Sequence, residues 1–205
     1  ILIFDEVSCG WRMSIGGAQK HLGITPDMSV FAKCMSNGYA MGCVVGSKEV
    51  MQDADKMFIS SSYWSDNIGL TASITTINEL KNRNSEAKFK EIGDKLTGAL
   101  NGAIQSSGIS ANTEGIHTRP TISFTLPDAS LGSKVNTLFI QEMSKRGIYC
   151  ATAFCATLSH TDEDIELTAR AAEESFKVVL KGLEGSLDEL IETEIKQEPF
   201  RRIVS

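Results

Sequence analysis

The chain has 205 residues, of which 41% are hydrophobic and 22% are charged, and its formal net charge is −6. This mild acidity excludes a strongly basic nucleic-acid-binding protein and a polybasic membrane-surface protein, and the composition is that of a globular protein rather than a disordered one. No apolar run approaches the roughly 18 residues that a membrane-spanning helix needs, so we expect neither a membrane nor a nucleic-acid partner.

The first predicted element is a strand at the very start of the chain. Residues 1–4 are apolar, and the acids Asp5 and Glu6 follow them directly. A continuous run of β-branched and aromatic residues predicts a parallel strand that is buried on both faces. Because ligands of open α/β sheets lie beyond the carboxyl ends of strands, the two acids mark a candidate site. The run begins without an initiator Met, which predicts a processed piece or part of a longer chain.

Two further strands and two helices are predicted in the first half of the chain. The second strand covers residues 28–32 and ends at Lys33, and the third covers residues 40–45. Apolar residues fall at helical spacing from Asp66 onward, and a second helix is predicted over residues 85–106.

The second half of the chain predicts a smaller unit of mixed structure. Residues 121–126 alternate between polar and apolar, which predicts a half-buried strand, and Thr161 is the predicted cap of a long helix. The other predicted elements are a helix around 135–143, a short strand at 148–150, the long helix over 161–183 and a last helix over 186–195. We therefore predict two domains, one over residues 1–107 with parallel-type strands and a smaller α+β domain over residues 108–205.

The cysteines and histidines show no metal-binding pattern. The five cysteines form no C-x-x-C pair, and the three histidines are far apart: Cys9, Cys34, Cys43, Cys150, Cys155, His21, His117 and His160. This spacing matches neither a zinc site nor a disulfide framework. We expect free thiols in a reducing cytoplasm and no bound metal.

Two polar residues, Asp5 and Lys33, stand at the ends of predicted strands. A carboxylate and an amine at neighbouring strand ends suit a cofactor that needs an anion on one side and an amine nucleophile on the other. Pyridoxal phosphate is such a cofactor, because its pyridinium nitrogen pairs with a carboxylate and its aldehyde with a lysine. The residues alone leave a plain buried ion pair as the alternative. Glu6 is expected to hold local structure rather than to take part in chemistry.

The order and spacing of these residues resemble the signature of the class III pyridoxal-phosphate aminotransferases. The resemblance is densest over residues 1–46 and is carried by Ile3-Phe4-Asp5-Glu6-Val7, Gly10, Arg12, Gly16-Gly17-Ala18-Gln19, Gly23-Ile24-Thr25-Pro26-Asp27 and Ala32-Lys33. The G-G-A-Q segment and the later His160-Thr161-Asp162-Glu163-Asp164-Ile165 resemble the glutamate-1-semialdehyde 2,1-aminomutase branch in particular.

The resemblance implies an architecture as well as a chemistry. The implied fold is the α/β PLP-dependent transferase fold type I, with a mostly parallel sheet in the large domain and a small C-terminal α+β domain. Members of the family form homodimers with sites at the interface, and their chains are about twice as long. The sequence therefore resembles the C-terminal half of such a protein.

Roles for individual residues follow from the same resemblance. Asp5 matches the aspartate that pairs with the ring nitrogen, and Lys33 matches the Schiff-base lysine, which makes both predicted catalytic residues. Val7 matches a residue that packs on one face of the ring. Ser8 stands where many relatives have a Gln that bonds the ring hydroxyl. Ser62 matches a hydroxyl that reaches the cofactor phosphate of the neighbouring subunit.

The implied reaction is amino-group transfer on a small amino or keto acid through pyridoxal 5′-phosphate, by a lysine Schiff base and a 1,3-proton shift. Two reactions remain open, a glutamate-1-semialdehyde 2,1-aminomutase reaction and an aminotransferase reaction with a separate keto acid. A different class of function also remains open, in which the chain is an incomplete, catalytically inactive fragment that acts only as a structural or dimerising domain.

Overall fold

The computed structural model describes residues 1–196, which form two compact units. The first unit runs from Ile1 to Phe89 and the second begins at Lys90. The division falls inside one long helix, α4 (Ser85–Ser107), whereas the predicted domain boundary lies at the end of that helix. The assignment of residues 1–107 and 108–205 to separate domains stays a prediction.

A three-stranded sheet organises the first unit. Its strands are β1 (Ile3–Asp5), β2 (Met28–Phe31) and β3 (Cys43–Gly46), in that spatial order. β1 runs parallel to β2, whereas β3 runs antiparallel to it. The parallel-type prediction is therefore correct for the first pair only. A parallel return requires a crossover of roughly a dozen residues or more, usually a helix, and the turn between β2 and β3 is too short for one.

The exposure of β1 differs from the prediction. Ile3 is 55% exposed and Leu2 is 46% exposed, although we expected a strand buried on both faces. Within the described residues, β1 is an edge strand of the sheet and pairs with β2 alone. A strand is covered on both faces only where other elements pack on each side of it. An edge strand of a small sheet does not always have such neighbours, and β1 is therefore partly exposed.

The helices of the first unit are α1 (Gly17–Leu22), α2 (Lys48–Met51) and α3 (Asn67–Asn82). α3 begins where predicted, because the Asp66 carboxylate accepts the Ile68 N–H at 2.9 Å and caps the first turn. Its closest packing is made through a small residue, since a Cβ added at Gly69 would lie 2.4 Å from the Ala40 carbonyl oxygen. Ile68 and Ile74 are instead 60% and 63% exposed.

The second unit packs helices against a two-stranded hairpin. Its elements after α4 are β4 (Ala111–Ile116), β5 (Arg119–Phe124), α5 (Gly132–Lys145), α6 (Asp162–Lys181) and α7 (Leu187–Leu190). β4 and β5 are antiparallel, and the core beneath them includes Phe139 and Phe176, whose rings stack at 5.1 Å. Thr161 caps α6 as predicted, in a reciprocal capping box with Asp164.

Two local predictions in this unit are wrong, and one strand has no counterpart among the predictions. Residues 148–150 form no strand; the neighbouring Ala153 makes only an isolated bridge to Thr121. β4 was not predicted, because its Asn, Thr, Glu and Gly residues lack the apolar alternation of a strand and it is recruited by pairing with β5. The last helix is much shorter than the predicted 186–195, because Ile191 has an extended backbone, with φ −82° and ψ 117°, and α7 therefore ends at Leu190.

Two further properties concern residues 1–196. No helix in this range combines the length and the apolar character needed to cross a membrane. No group of three or more His, Cys, Asp or Glu side chains in it is arranged to hold a metal ion.

Candidate active site

The ends of β1 and β2 bring Asp5 and Lys33 to one edge of the sheet. Asp5 is the last residue of β1 and lies opposite Val30 of β2 in the parallel register. Lys33 follows β2 after one intervening residue, Ala32. Because the two strands run in the same direction, their carboxyl ends lie side by side, which is the juxtaposition that we expected.

Asp5 is exposed, and one of its carboxylate oxygens has a backbone partner. Oδ1 accepts the N–H of Val7 at 3.0 Å, which turns the chain away from the strand and fixes the orientation of the carboxylate. A carboxylate has a second oxygen, so Oδ2 can accept a proton-bearing nitrogen from a bound group. Val7 itself is half-buried in the same turn.

Lys33 has an unusual backbone conformation. Its φ is 50°, in the left-handed region that residues other than glycine rarely enter, and it opens a short 3-10 turn over Lys33–Met35. The turn is anchored by Met35, which is buried, and by the Met35 N–H, which donates to the Ala32 carbonyl at 3.2 Å. Strained backbone of this kind persists only where its surroundings hold it, and it is concentrated at functional sites.

The amine of Lys33 reaches the segment that follows β1. Lys33 Nζ donates to Ser8 Oγ at 2.7 Å, across 25 positions of the chain. The structure therefore brings together four predicted site residues, Asp5, Val7, Ser8 and Lys33. Sequence reasoning did not find the contact between Ser8 and Lys33, because no spacing rule links residues on two different loops.

Glu6 is a buried acid with a structural role, as predicted. Its side chain is fully buried, and its carboxylate accepts the N–H groups of Ala18 at 2.7 Å and Gln19 at 3.0 Å at the start of α1. The Glu6 N–H also donates to the Val30 carbonyl at 2.8 Å. Glu6 thus ties α1 to the sheet edge, and Gly17 leaves the space for it, because an added Cβ would lie 2.5 Å from Glu6 Oε1.

Cys9 packs against the same carboxylate. Its Sγ lies 3.5 Å from Glu6 Oε2. Burial, together with the negative charge of Glu6, raises the pKa of the Cys9 thiol above its ordinary value. A raised pKa disfavours the thiolate, which is the nucleophilic form, so Cys9 is not an activated nucleophile.

Ser62 lies apart from this group. It is an exposed residue in the turn that precedes α3. No hydrogen bond in the described part of the chain joins Ser62 to Asp5, Ser8 or Lys33. Its predicted partner is the phosphate of a neighbouring subunit's cofactor, and that role stays a prediction.

The donor set at the sheet edge fits the predicted cofactor. A carboxylate with one oxygen available and a primary amine on an adjacent strand end are the two groups that pyridoxal phosphate requires of a protein. Both groups are exposed and polar, so a bound molecule has access to them.

Comparison with known proteins identifies the family. The family model for class-III aminotransferases matches residues 1–166. The chain belongs to the class-III aminotransferases. The match includes the whole sheet edge described above and extends into the first turn of α6.

Curated relatives show how much of a class-III aminotransferase this chain represents. The 3-aminobutyryl-CoA aminotransferase of Cloacimonas acidaminovorans is 36% identical over 186 residues, which cover 89% of this chain and 45% of that protein. The glutamate-1-semialdehyde 2,1-aminomutase of Desulforamulus reducens is 31% identical over 195 residues, with 88% and 45% covered. The chain spans about half the length of the curated relatives it matches.

Solved structures confirm the predicted fold. The FumI protein of Sphingopyxis sp. MTA144 superposes with a TM-score of 0.80 at 24% identity, covering 89% of this chain and 44% of that one. An omega-transaminase from Sphaerobacter thermophilus superposes with a TM-score of 0.76 at 22% identity, with 88% and 45% covered. The class-III chain therefore has the α/β architecture of the fold-type-I transferases over the part that it spans.

Proposed function

We propose that this class-III aminotransferase chain carries the lysine and the aspartate of a pyridoxal-phosphate-dependent amino-group transfer. The observation that carries the proposal is the shared sheet edge, where Asp5 ends β1 and Lys33 follows the parallel strand β2. The substrate class is a small amino or keto acid, which is the substrate class implied by the family.

The chemistry divides between the two residues. When bound, pyridoxal phosphate supplies an aldehyde and an electron-withdrawing ring. The Asp5 carboxylate would accept a hydrogen bond from the ring nitrogen and hold a proton there, because an adjacent negative charge favours the protonated form. Lys33 Nζ would bind the aldehyde carbon. Once the substrate amine had displaced it, Nζ would take a proton from the substrate α-carbon and return it to the former aldehyde carbon, which is the proposed 1,3-proton shift.

Two other residues complete the proposed site. Val7 lies in the turn held by Asp5, and its half-buried side chain would pack against one face of the ring. Ser62 would donate its hydroxyl proton to the phosphate held by a second copy of the protein. This contact requires a homodimer, which the exposure of Phe58 at 98% and of Ile68 and Ile74 on α3 supports.

Two reactions fit this site. One curated relative is named as an aminotransferase and the other as an aminomutase. An assay of the whole protein on glutamate 1-semialdehyde without an added amino acceptor separates them. Formation of 5-aminolevulinate identifies an aminomutase, whereas strict dependence on an added keto acid identifies an aminotransferase.

The decisive experiment asks whether Lys33 binds the cofactor. The whole protein is mixed with pyridoxal phosphate, reduced with borohydride and digested, and the modified lysine is located by mass spectrometry. We expect the adduct on Lys33, a visible absorbance band before reduction, and loss of both in Lys33→Ala. Lys48→Ala, at an exposed lysine on α2, is the matched control and should retain both.

The same experiment tests the second candidate function, a structural or dimerising fragment. That candidate is favoured by one observation, that the chain spans 45% of the length of the curated relatives. A chain of residues 1–205 that dimerises but gives neither the band nor the adduct would support it, and a Lys33 adduct on that chain would rule it out.

We also propose a cytoplasmic location. None of the five cysteines is in a disulfide bond, which is usual in a reducing compartment. Labelling of free thiols in intact cells with membrane-permeant and impermeant reagents tests this location directly.

A further inference from the structure

Lys33 donates a hydrogen bond to Ser8. The family resemblance relates position 8 to a different partner, the ring hydroxyl of the cofactor. Lys33 Nζ lies 2.7 Å from Ser8 Oγ, and both side chains are exposed. An exposed lysine ordinarily samples many rotamers, because its four-carbon stem carries about 2 kcal/mol of rotamer entropy. A defined partner therefore restricts where the amine can be.

The backbone on both sides of this contact is held in place. Ser8 follows a turn in which Asp5 Oδ1 accepts the Val7 N–H, and the Gly10 N–H donates to the Glu6 carbonyl at 2.9 Å. Lys33 starts from a left-handed backbone conformation that the buried Met35 anchors. Because each end is fixed by contacts of its own, the approach of the two side chains is built into the fold.

The observed partner of the amine is the Ser8 hydroxyl and not one of the two acids on the same segment. Glu6 uses its carboxylate for the N–H groups of α1 and for Cys9, and Asp5 uses Oδ1 for its own turn. A neutral hydroxyl holds the amine by a single hydrogen bond, which is readily exchanged for another partner. The Ser8 hydroxyl also keeps its own proton available for donation to a bound group.

We propose that Ser8 is a positioning residue for Lys33. Whenever Lys33 Nζ is not bound to the cofactor, Ser8 Oγ accepts its hydrogen bond and holds the amine at the sheet edge, ready to bind again. This role rests on the proposed function of Lys33. It concerns the free amine, and it differs from the ring-hydroxyl contact that the family resemblance implies for position 8.

The role predicts a change in rate without a matching change in affinity. In Ser8→Ala the amine samples more positions, so the first-order rate of its reaction with bound pyridoxal phosphate should fall about five- to tenfold, the effect of one lost hydrogen bond. The half-saturating cofactor concentration should change less than twofold. Ser8→Thr keeps the hydroxyl and should restore the rate to within twofold of the wild type.

The test uses the whole protein, stripped of cofactor and mixed rapidly with increasing pyridoxal phosphate. The growth of the visible band gives the limiting rate and the half-saturating concentration for the wild type, Ser8→Ala and Ser8→Thr. Ser110→Ala is the matched control, since Ser110 is exposed and bonds through its backbone carbonyl. Thermal midpoints verify that all variants are folded.

The outcomes separate the two proposals. A wild-type band that is lost in Lys33→Ala, with a slow limiting rate in Ser8→Ala and rescue in Ser8→Thr, supports the role of Ser8. An unchanged rate in Ser8→Ala, or equal slowing in Ser8→Thr, overturns that role and leaves the proposed function standing. No band in the wild-type protein overturns both.

Discussion

At the end of β1, the two carboxylate oxygens of Asp5 have different roles in the proposed site. Oδ1 accepts the Val7 N–H at 3.0 Å and so fixes the side chain, while Oδ2 can serve a bound ring nitrogen. An orienting bond of this kind matters for catalysis, because a preorganised charge does not have to reorganise during the reaction. The same turn carries Ser8 toward Lys33. The hydrogen bond of Asp5 therefore helps to orient both its own carboxylate and Ser8, the partner of Lys33.

Replacing Asp5 tests this arrangement at the scale of the residue. Asp5→Ala removes both the charge and the orienting bond, so we expect kcat/KM of the whole protein to fall about 100-fold or more, with weaker cofactor binding. Steady-state kinetics and cofactor titration measure the two effects. Asp55→Ala, at an exposed acid elsewhere in the first unit, should leave both near wild type. Near-normal turnover in Asp5→Ala would remove Asp5 from the mechanism.

At the scale of the element, the placement of α1 depends on a buried acid and a glycine. Glu6 accepts two N–H groups at the start of the helix, and Gly17 has a φ of 80° and faces the Glu6 carboxylate. A side chain at position 17 would be strained by the positive φ and would collide with the Glu6 carboxylate. The helix and the sheet edge that carries Asp5 are therefore coupled through one point of close packing.

Gly17→Ala should destabilise the chain by about 2–4 kcal/mol, because strain at a positive φ is added to the collision with Glu6. Gly23→Ala is a matched control, since its φ is 67° but an added Cβ would meet nothing within 4 Å. It should cost about 1 kcal/mol. Urea unfolding gives both free energies, and equal values would show that the contact with Glu6 contributes nothing.

A second element, α5, carries a buried acid whose charge depends on its partners. Burial by itself would raise the pKa of Glu142, but hydrogen bonds from Arg146, Lys145 and Gln141 outweigh it and lower the pKa below its ordinary value. The closest of these partners, Arg146 Nη1, lies 2.7 Å from Glu142 Oε2. A lowered pKa in the folded state stabilises the fold above the unfolded value near 4.5, and this stabilisation is lost as the pH falls.

Glu142→Gln should therefore lower the free energy of unfolding by about 1–3 kcal/mol at pH 7. The difference from wild type should shrink as the pH is taken below about 4.5, because the carboxyl of the unfolded chain then takes up a proton that the folded protein binds only at lower pH. Glu174→Gln, which removes an exposed ion pair with Lys177, is the control and should leave the free energy of unfolding close to the wild-type value, because solvent screens an exposed pair. A difference for Glu142→Gln that stays constant with pH would contradict the assigned charge state.

At the scale of the whole molecule, large apolar side chains remain exposed on the first unit. Ile68 and Ile74 lie on α3 with more than half of their surface accessible, and Phe58 is 98% exposed. Large apolar side chains that are exposed near one another in the chain favour an interface with another chain. The proposed dimer provides a partner for it, and Ser62 stands in the turn between Phe58 and α3.

Charged substitutions on α3 test this assembly. Ile68→Asp and Ile74→Asp should shift the whole protein from dimer toward monomer, because a buried unpaired charge at an interface is costly. Multi-angle light scattering measures the mass, and Lys81→Asp, at an exposed position of the same helix, should leave it unchanged. A wild-type monomer would contradict the homodimer and, with it, the proposed role of Ser62.

Features that depend on local pattern follow from the amino-acid sequence alone. Asp5 and Lys33 were placed at strand ends from apolar runs, and Thr161 was placed at the start of α6 from its own side chain and the acids beyond it. The family also follows from the order of residues near the start of the chain. Such features are encoded within a few positions, where backbone geometry and side-chain chemistry act together.

Contacts between groups that are distant in the sequence depend instead on the folded arrangement of the chain. The bond from Lys33 to Ser8 and the burial of Glu6 against α1 join residues on separate segments, and no periodicity in the chain encodes either contact. The antiparallel return of β3 and the exposure of β1 likewise depend on which neighbours each strand finds. A hydrogen bond forms only between groups that folding brings within about 3 Å of each other. Folding brings Ser8, the position that the resemblance relates to the cofactor ring, within that distance of Lys33 Nζ.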